Sequence, residues 1–311
     1  NSQQAVEAAR LSKLTGKPVQ VAWTREEEFF FDLFRPAAIV KIRSGVTPTK
    51  RIVFWASEVY FAGPRGAGQI YDIAHHRELT RGHYTGAPGV HTFGTGPWRA
   101  PGSNLNTFAR ESHINIMAAK LGVDPLEYRL QNLKDERMEK VLKAAAAKFG
   151  WKDSKAPSGR GYGLACATDA GAYVATMTEV EVDRNSGAVR VKRIVHAQEM
   201  GLVIHPEGVR QQMEGALTMG LGYSLTEEVH FKGGQILDRN FDTYEIPRFS
   251  WVPRIETVLL ENPEGPAQGG GEPPIVCVGG SIANAIFDAT GARLFDLPMT
   301  AERVKKALAG K

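Results

Sequence analysis

Ala5, Ala8, Ala9, Leu11 and Leu14 recur at near-helical spacing, which predicts a helix over residues 5–14. Gly16 is placed to end it, and Pro18 follows as a usual stop. Residues 19–23 alternate apolar and polar and predict a strand; residues 38–46 and 51–61 read as two more, joined through Pro48. Residues 63–102 show no period and are rich in glycine, proline and histidine, and an irregular stretch of that length in a compact domain is usually functional. Helices are predicted over 104–121, capped by Ser103 or Asn104 and ended by Gly122, from Asp124-Pro125 onward, and over 134–149. Residues 172–183 and 189–196 form a hairpin. Glu179, Glu181 and Asp183 share one face, and Arg190 and Lys192 on the returning strand set its register. A helix over 206–225, a second hairpin around Lys232-Gly233-Gly234-Gln235, a strand over 255–260 and helices over 281–291 and 300–308 complete the chain. Strands and helices alternate irregularly and without repeat, which predicts an α+β fold.

The polar, Pro- and Gly-bearing stretch 152–161 reads as a boundary between two lobes, which suits 311 residues. The net charge of +4 is spread out, with no run of five basic residues, and this argues against a nucleic-acid partner. Cys166 and Cys277 are too few and too far apart for a zinc or iron–sulfur site, and read as small buried thiols. No apolar stretch approaches the roughly 20 residues of a membrane span. The chain opens without methionine, so its true beginning is expected elsewhere, and its compartment stays open.

Three segments carry chemistry. In Gly269-Gly270-Gly271-Glu272-Pro273-Pro274 the glycines allow close approach of backbone to a ligand, and the prolines stiffen the chain after the acid. A buried carboxylate held this way suits general-base work; the local pattern by itself favours a glycine turn with a solvated Glu272. In Gly96-Pro97-Trp98-Arg99-Ala100-Pro101-Gly102 the arginine has little freedom, as suits gripping an anion; pairing with a carboxylate beside a packed Trp98 fits as well. Gln212 and Glu214 lie near Gly215, Gly220 and Gly222 on a helix whose N-terminus suits an anion, or whose glycines serve helix packing. The histidines, among them His75, His76, His196 and His205, read as structural or surface residues.

Together and in this order, these segments resemble the molybdopterin-binding subunit of the xanthine oxidase family. GGGEPP with SIANAIFDATGARL is similar to that family's glutamate loop and closing helix. GPWRAPG with the segment from Asn104 to Leu133 is similar to its arginine loop and following helices, and the segment from Glu179 to Tyr223 to its hairpin and glutamine-bearing helix. The resemblance covers the whole chain, with the isoquinoline 1-oxidoreductase and nicotinate dehydrogenase branch nearest. The GGGFG, glutamine and Ser/Thr/Gly-rich cofactor loops of the family are absent, which is expected of an N-terminally truncated or split subunit.

The resemblance implies a two-lobed α+β cofactor-binding fold of the xanthine oxidase and aldehyde oxidase type. Residues 1–155 would carry the arginine loop and 156–311 the glutamate loop. It implies molybdopterin cytosine dinucleotide with molybdenum, whose sulfur ligands come from the pterin, so no protein metal ligand is expected. Glu272 matches the general base that deprotonates the oxygen attacking an electron-poor carbon, and Arg99 the arginine beside metal and substrate. Gln212, Gly270, Gly271, Trp98 and Ala100 fall at cofactor-contacting positions. The implied partners are a chain or segment carrying the missing loops, a [2Fe-2S] subunit, and a flavin or cytochrome subunit. The substrate would be an aldehyde or N-heteroaromatic, and the compartment the cytoplasm or periplasm of a bacterium. The competing reading is a cofactor-free assembly scaffold that keeps the fold.

Overall fold

The computed structural model describes residues 3–85, 91, 93–151 and 159–310, so most of the expected lobe boundary, 152–158, lies outside the described residues. Two helices open the chain, α1 (Gln3–Thr15) and α2 (Arg25–Phe31), neither with a buried residue. Thr24 starts α2 with a capping box: its hydroxyl accepts from Glu27 N–H while the Glu27 carboxylate accepts from Thr24 N–H. The strand expected over 19–23 is not formed; no neighbouring strand pairs with that segment, and alternation alone does not make a ladder.

A three-stranded sheet follows. β1 (Ile39–Val46) runs antiparallel to β2 (Ile52–Tyr60), and β3 (His75–Arg81) runs parallel to β2 inside the stretch read as irregular. β3 is an edge strand with little buried surface, so its sequence carries no apolar alternation. Helix α3 (Ser103–Leu121) starts one residue earlier than expected. Its N-cap is Gly102 at φ 75°, with no side-chain cap; Ser103 and Asn104 lie buried inside its first turn. α4 (Pro125–Asn132) is capped by Asp124, whose carboxylate accepts from Leu126 and Glu127 N–H, and α5 (Glu136–Phe149) by Asp135.

The second sheet has the order β4 (Arg160–Asp169), β5 (Ala172–Val182), β6 (Val189–Glu199), then β9 (Arg254–Leu260) parallel to β6. The register of β5 and β6 places Glu181 opposite Arg190 and Glu179 opposite Arg193, and Lys192 pairs with Glu181 at 3.4 Å. Between these strands lie α6 (Pro206–Leu225) and a hairpin of two-residue strands, β7 (Phe231–Lys232) and β8 (Gln235–Ile236), much shorter than expected. A 3-10 turn (Pro273–Ile275), α7 (Val278–Thr290) and α8 (Ala301–Ala309) close the chain.

Alternation along the second sheet divides two cores. Leu164, Cys166, Ala175, Met177, Val195 and Ala197 join one with α3, α4 and α5, and that core also takes in Ile52 and Trp55 of the first sheet. Val180, Val191 and Ile194 meet α6 and α7 on the opposite face. β4 presents glycine to α7: a Cβ on Gly161 would lie 2.2 Å from Ala285 O, and one on Gly163 2.1 Å from Ser281 O. Side chains there would push the helix off the sheet, and the same glycines hide this strand from a propensity reading. Both cysteines are free and buried.

A sealed charge cluster ties these layers together. Glu111 and Arg129 are both 0% exposed and meet at 2.9 Å. Glu111 also accepts from Tyr71 Oη at 2.9 Å and Cys166 N–H at 3.1 Å. Arg129 Nη2 donates to Glu111 O, and Asn284 Nδ2 donates to Glu111 O and Leu164 O. Burial would lower the Arg129 guanidinium, but the Glu111 carboxylate beside it holds it above its ordinary value.

Candidate active site

The glutamate and arginine loops, more than 170 residues apart in sequence, meet directly. Arg99 Nε donates to Gly271 O at 2.8 Å, and Nη2 donates to the same carbonyl. Nη2 also reaches Gln212 O at 3.1 Å and Gln212 Oε1 at 3.0 Å. Arg99 thus braces the glutamate loop against α6. Burial lowers its guanidinium, and the charge of Glu272 opposes that.

The next residue grips the acid. Ala100 sits at φ 56°, a left-handed conformation rare outside glycine. In that conformation its N–H donates to Glu272 Oε1 at 2.9 Å. Trp98 is partly buried, edge-on to Tyr223 at 5.7 Å and under the Arg35 guanidinium at 5.3 Å, so it is engaged in packing. Tyr223 in turn fixes the segment after the acid: Gly279 N–H donates to its Oη at 2.9 Å, and its Oη donates to Ile275 O at 3.2 Å.

The glycines of the loop are hemmed in. A Cβ on Gly270 would lie 3.0 Å from Met200 Sδ, and one on Gly271 3.1 Å from Gln212 Oε1. Gln212 itself is exposed. The glycines of α6 divide: Gly220 packs against Val278, while nothing lies within 4 Å of a Cβ on Gly215. The N-terminus of α6, read as an anion site, is capped by its own His205, whose Nδ1 accepts from Gly208 N–H at 2.7 Å.

Glu272 departs from the expected buried carboxylate, since its side chain is 41% exposed. Its environment comes from a residue the sequence did not single out. Arg65 donates from Nη2 to Glu272 Oε2 at 2.7 Å, and from Nε and Nη2 to Asp169 at 2.9 and 2.7 Å. Burial pushes the Glu272 carboxyl up, but Arg65, the Ala100 N–H and the charge of Arg99 outweigh it, leaving the group below the ordinary carboxylate range. It is an ionised acceptor at neutral pH, held from both oxygens and open on one side. Arg65 stands between Pro64 and Gly66, where Arg99 has its prolines one residue further away on either side, inside a long stretch without period.

Two family descriptions, both of a molybdopterin cofactor-binding domain, match residues 2–133 and 104–253. The chain belongs to this molybdopterin cofactor-binding family. Within it, the chain stands with the molybdopterin-binding subunits of the xanthine oxidase type. It is 32% identical to a subunit of nicotinate dehydrogenase from Pseudomonas putida, over 98% of its own length and 29% of the relative's. It is 29% identical to the beta subunit of isoquinoline 1-oxidoreductase from Brevundimonas diminuta, over 94% of this chain and 40% of that one. The chain therefore spans less than half the length of these relatives. The solved structure of quinoline 2-oxidoreductase from Pseudomonas putida 86 superposes with a TM-score of 0.85 at 14% identity, over 98% of this chain and 66% of that one. Aldehyde oxidoreductase from Desulfovibrio gigas gives 0.81 at 18%, over 99% and 53%. These likenesses are of fold, and they agree with the α+β architecture.

Proposed function

We propose that this chain is the catalytic-glutamate-bearing part of a molybdenum hydroxylase that oxidises an aldehyde or hydroxylates an N-heteroaromatic substrate with water. Glu272 carries the reading: an ionised, half-exposed carboxylate on a glycine-lined loop, fixed by Arg65 and the Ala100 N–H. The residues fit a pterin-borne metal. Gly270 and Gly271 keep side chains off the loop, and exposed Gln212 stands beside them. Among the described residues no three His, Cys, Asp or Glu side chains are grouped to hold a metal ion, so a metal here would take its ligands from the organic group that carries it.

Gln212, Gly270 and Gly271 would hold the cofactor, with Trp98 and Ala100 shaping the arginine loop beside it. The bound group, which we take to be molybdopterin cytosine dinucleotide, supplies the two-electron redox chemistry. Glu272 takes up the proton of the attacking oxygen. Uptake falls on Oε1, which among the described residues accepts a neutral amide N–H, whereas Oε2 faces the Arg65 cation. Arg99 keeps the loop in register and adds positive charge that favours the ionised base.

Electrons would leave to a [2Fe-2S] partner, and from there to a flavin or cytochrome subunit. A further chain or segment would supply the remaining cofactor loops, and the two lobes, 1–155 and 156–311, would clasp the cofactor between them. Surface area supports the partner reading. A monomer of 34.0 kDa exposes about 12,800 Å²; this chain exposes 15745 Å², with Leu14 82%, Ile204 76% and Phe249 96% exposed. Helix α1 buries none of its side chains, and a lone helix of that length is marginal in water.

Elemental analysis with intact masses of every chain in the natively purified protein tests this. Molybdenum at about one atom per chain, with iron and further polypeptides, is expected. A folded single chain with neither metal would favour the scaffold.

A further inference from the structure

The turn between β4 and β5 touches the glutamate loop and its arginine at once. Asp169 ends β4 opposite Ala172, and Ala170 and Gly171 between them lie at φ 46° and 78°, as in a two-residue hairpin loop. Gly269 N–H donates to Ala170 O at 3.3 Å. A Cβ on Gly171 would lie 2.3 Å from Gln268 Oε1, and one on Gly269 3.0 Å from Ala170 Cβ, so tip and loop are in close contact. The Asp169 side chain is 1% exposed and grips Arg65 through both carboxylate oxygens, and the same Arg65 Nη2 reaches Glu272.

Arg65 is less confined than its partner. Its side chain is 31% exposed and borders a cavity of about 470 Å³ that Asp169, Arg137, Tyr173 and Gln268 also line. Arg137, across that cavity, is engaged with Glu199 and lies 4.2 Å from the Tyr173 ring centre. An untethered Arg65 has room to leave Glu272.

We infer that Asp169 is a positioning residue, by which the β4–β5 tip holds Arg65 against Glu272 and registers the arginine to the glutamate loop. The contribution of Glu272 to turnover rests on the function proposed above; the tether itself does not. Among the described residues the charged side chains acting on Glu272 are Arg65 and Arg99, and Asp169 acts through Arg65. A tether and a mere nearby anion predict opposite signs. Removing a nearby anion lowers the midpoint of Glu272, whereas releasing Arg65 raises it.

The test is the ionisation midpoint of Glu272 in the purified, assembled protein. It is read by pH-difference infrared spectroscopy with isotope-labelled glutamate, assigned by its loss in Glu272→Gln, and compared with the acidic limb of kcat/KM. Asp169→Asn is expected to raise the midpoint by about one unit. In an Arg65→Gln background the same substitution is expected to bring no rise, leaving the midpoint in place or lowering it. Asp169→Glu, which keeps the charge but displaces it, is expected to give a smaller rise and covers the case in which Asp169→Asn does not fold. An unchanged or lowered midpoint in either folded variant, or a rise that persists without Arg65, overturns the tether. Because the infrared midpoint is independent of turnover, a turnover result that removes Glu272 from the chemistry leaves this test readable.

Discussion

Two clusters of arginine and carboxylate, one around Glu111 and one around Glu272, are built on opposite plans. Around Glu111 everything is sealed: the acid and Arg129 are both 0% exposed, Arg110 beside them is 4% exposed, and a tyrosine, an amide and a backbone N–H join the shell. Around Glu272 the acid is 41% exposed, its arginine 31%, and the hydrogen bonds come from two loops rather than from packed helices. A saturated buried pair resists change of charge, because losing one partner strands the other in a low dielectric. An open pair leaves the carboxylate room to gain and lose a proton. The first cluster holds layers together, and the second is suited to chemistry.

The contrast can be broken by substitution. The largest stability effect is expected from Arg129→Met, which leaves Glu111 sealed with Arg110, 3.4 Å away, as its remaining cation: a loss of about 3–5 kcal/mol in denaturant unfolding, while a loss below about 1 kcal/mol would erase the distinction. An intermediate, pH-dependent effect is expected from half-buried His113 and buried His196. Burial holds His113 down at about 4, helped by the charge of Lys120, and burial alone holds His196 at about 4. The unfolded chain takes up these protons first, near 6.5, so this contribution is complete above about 6.5 and is lost as pH falls toward 4. His113→Gln is expected to flatten that part of the stability curve; an unchanged slope would show that other groups set it. The smallest effect is expected from Glu272→Gln on unfolding, within about 1 kcal/mol, since half-exposed pairs add little.

Much of this was legible where local signals were strong. Asp124-Pro125 marked α4, Pro206 stands at the start of α6 over the expected residues 206–225, and alternating charges set the β5–β6 register. The glutamate and arginine loops were marked by glycine and proline around a single charged residue, and the fold brings Ala100 onto Glu272. The rest depended on distant packing. Gly161 and Gly163 make β4 look like a linker because α7 lies directly against them. Residues 19–23 alternate like a strand but pair with no neighbouring strand among the described residues, while the Thr24…Glu27 capping box just after them starts α2. Arg65 gains its meaning from Asp169 and Glu272, 104 and 207 residues away, a juxtaposition that no local pattern carries.

The most direct test of the account is turnover per molybdenum atom in the assembled protein and its Glu272→Gln variant. The variant is expected to carry as much molybdenum as the wild type and to turn over about 10²–10⁴-fold more slowly. Equal metal content with turnover within a few-fold of wild type would contradict the assignment of Glu272 as the base.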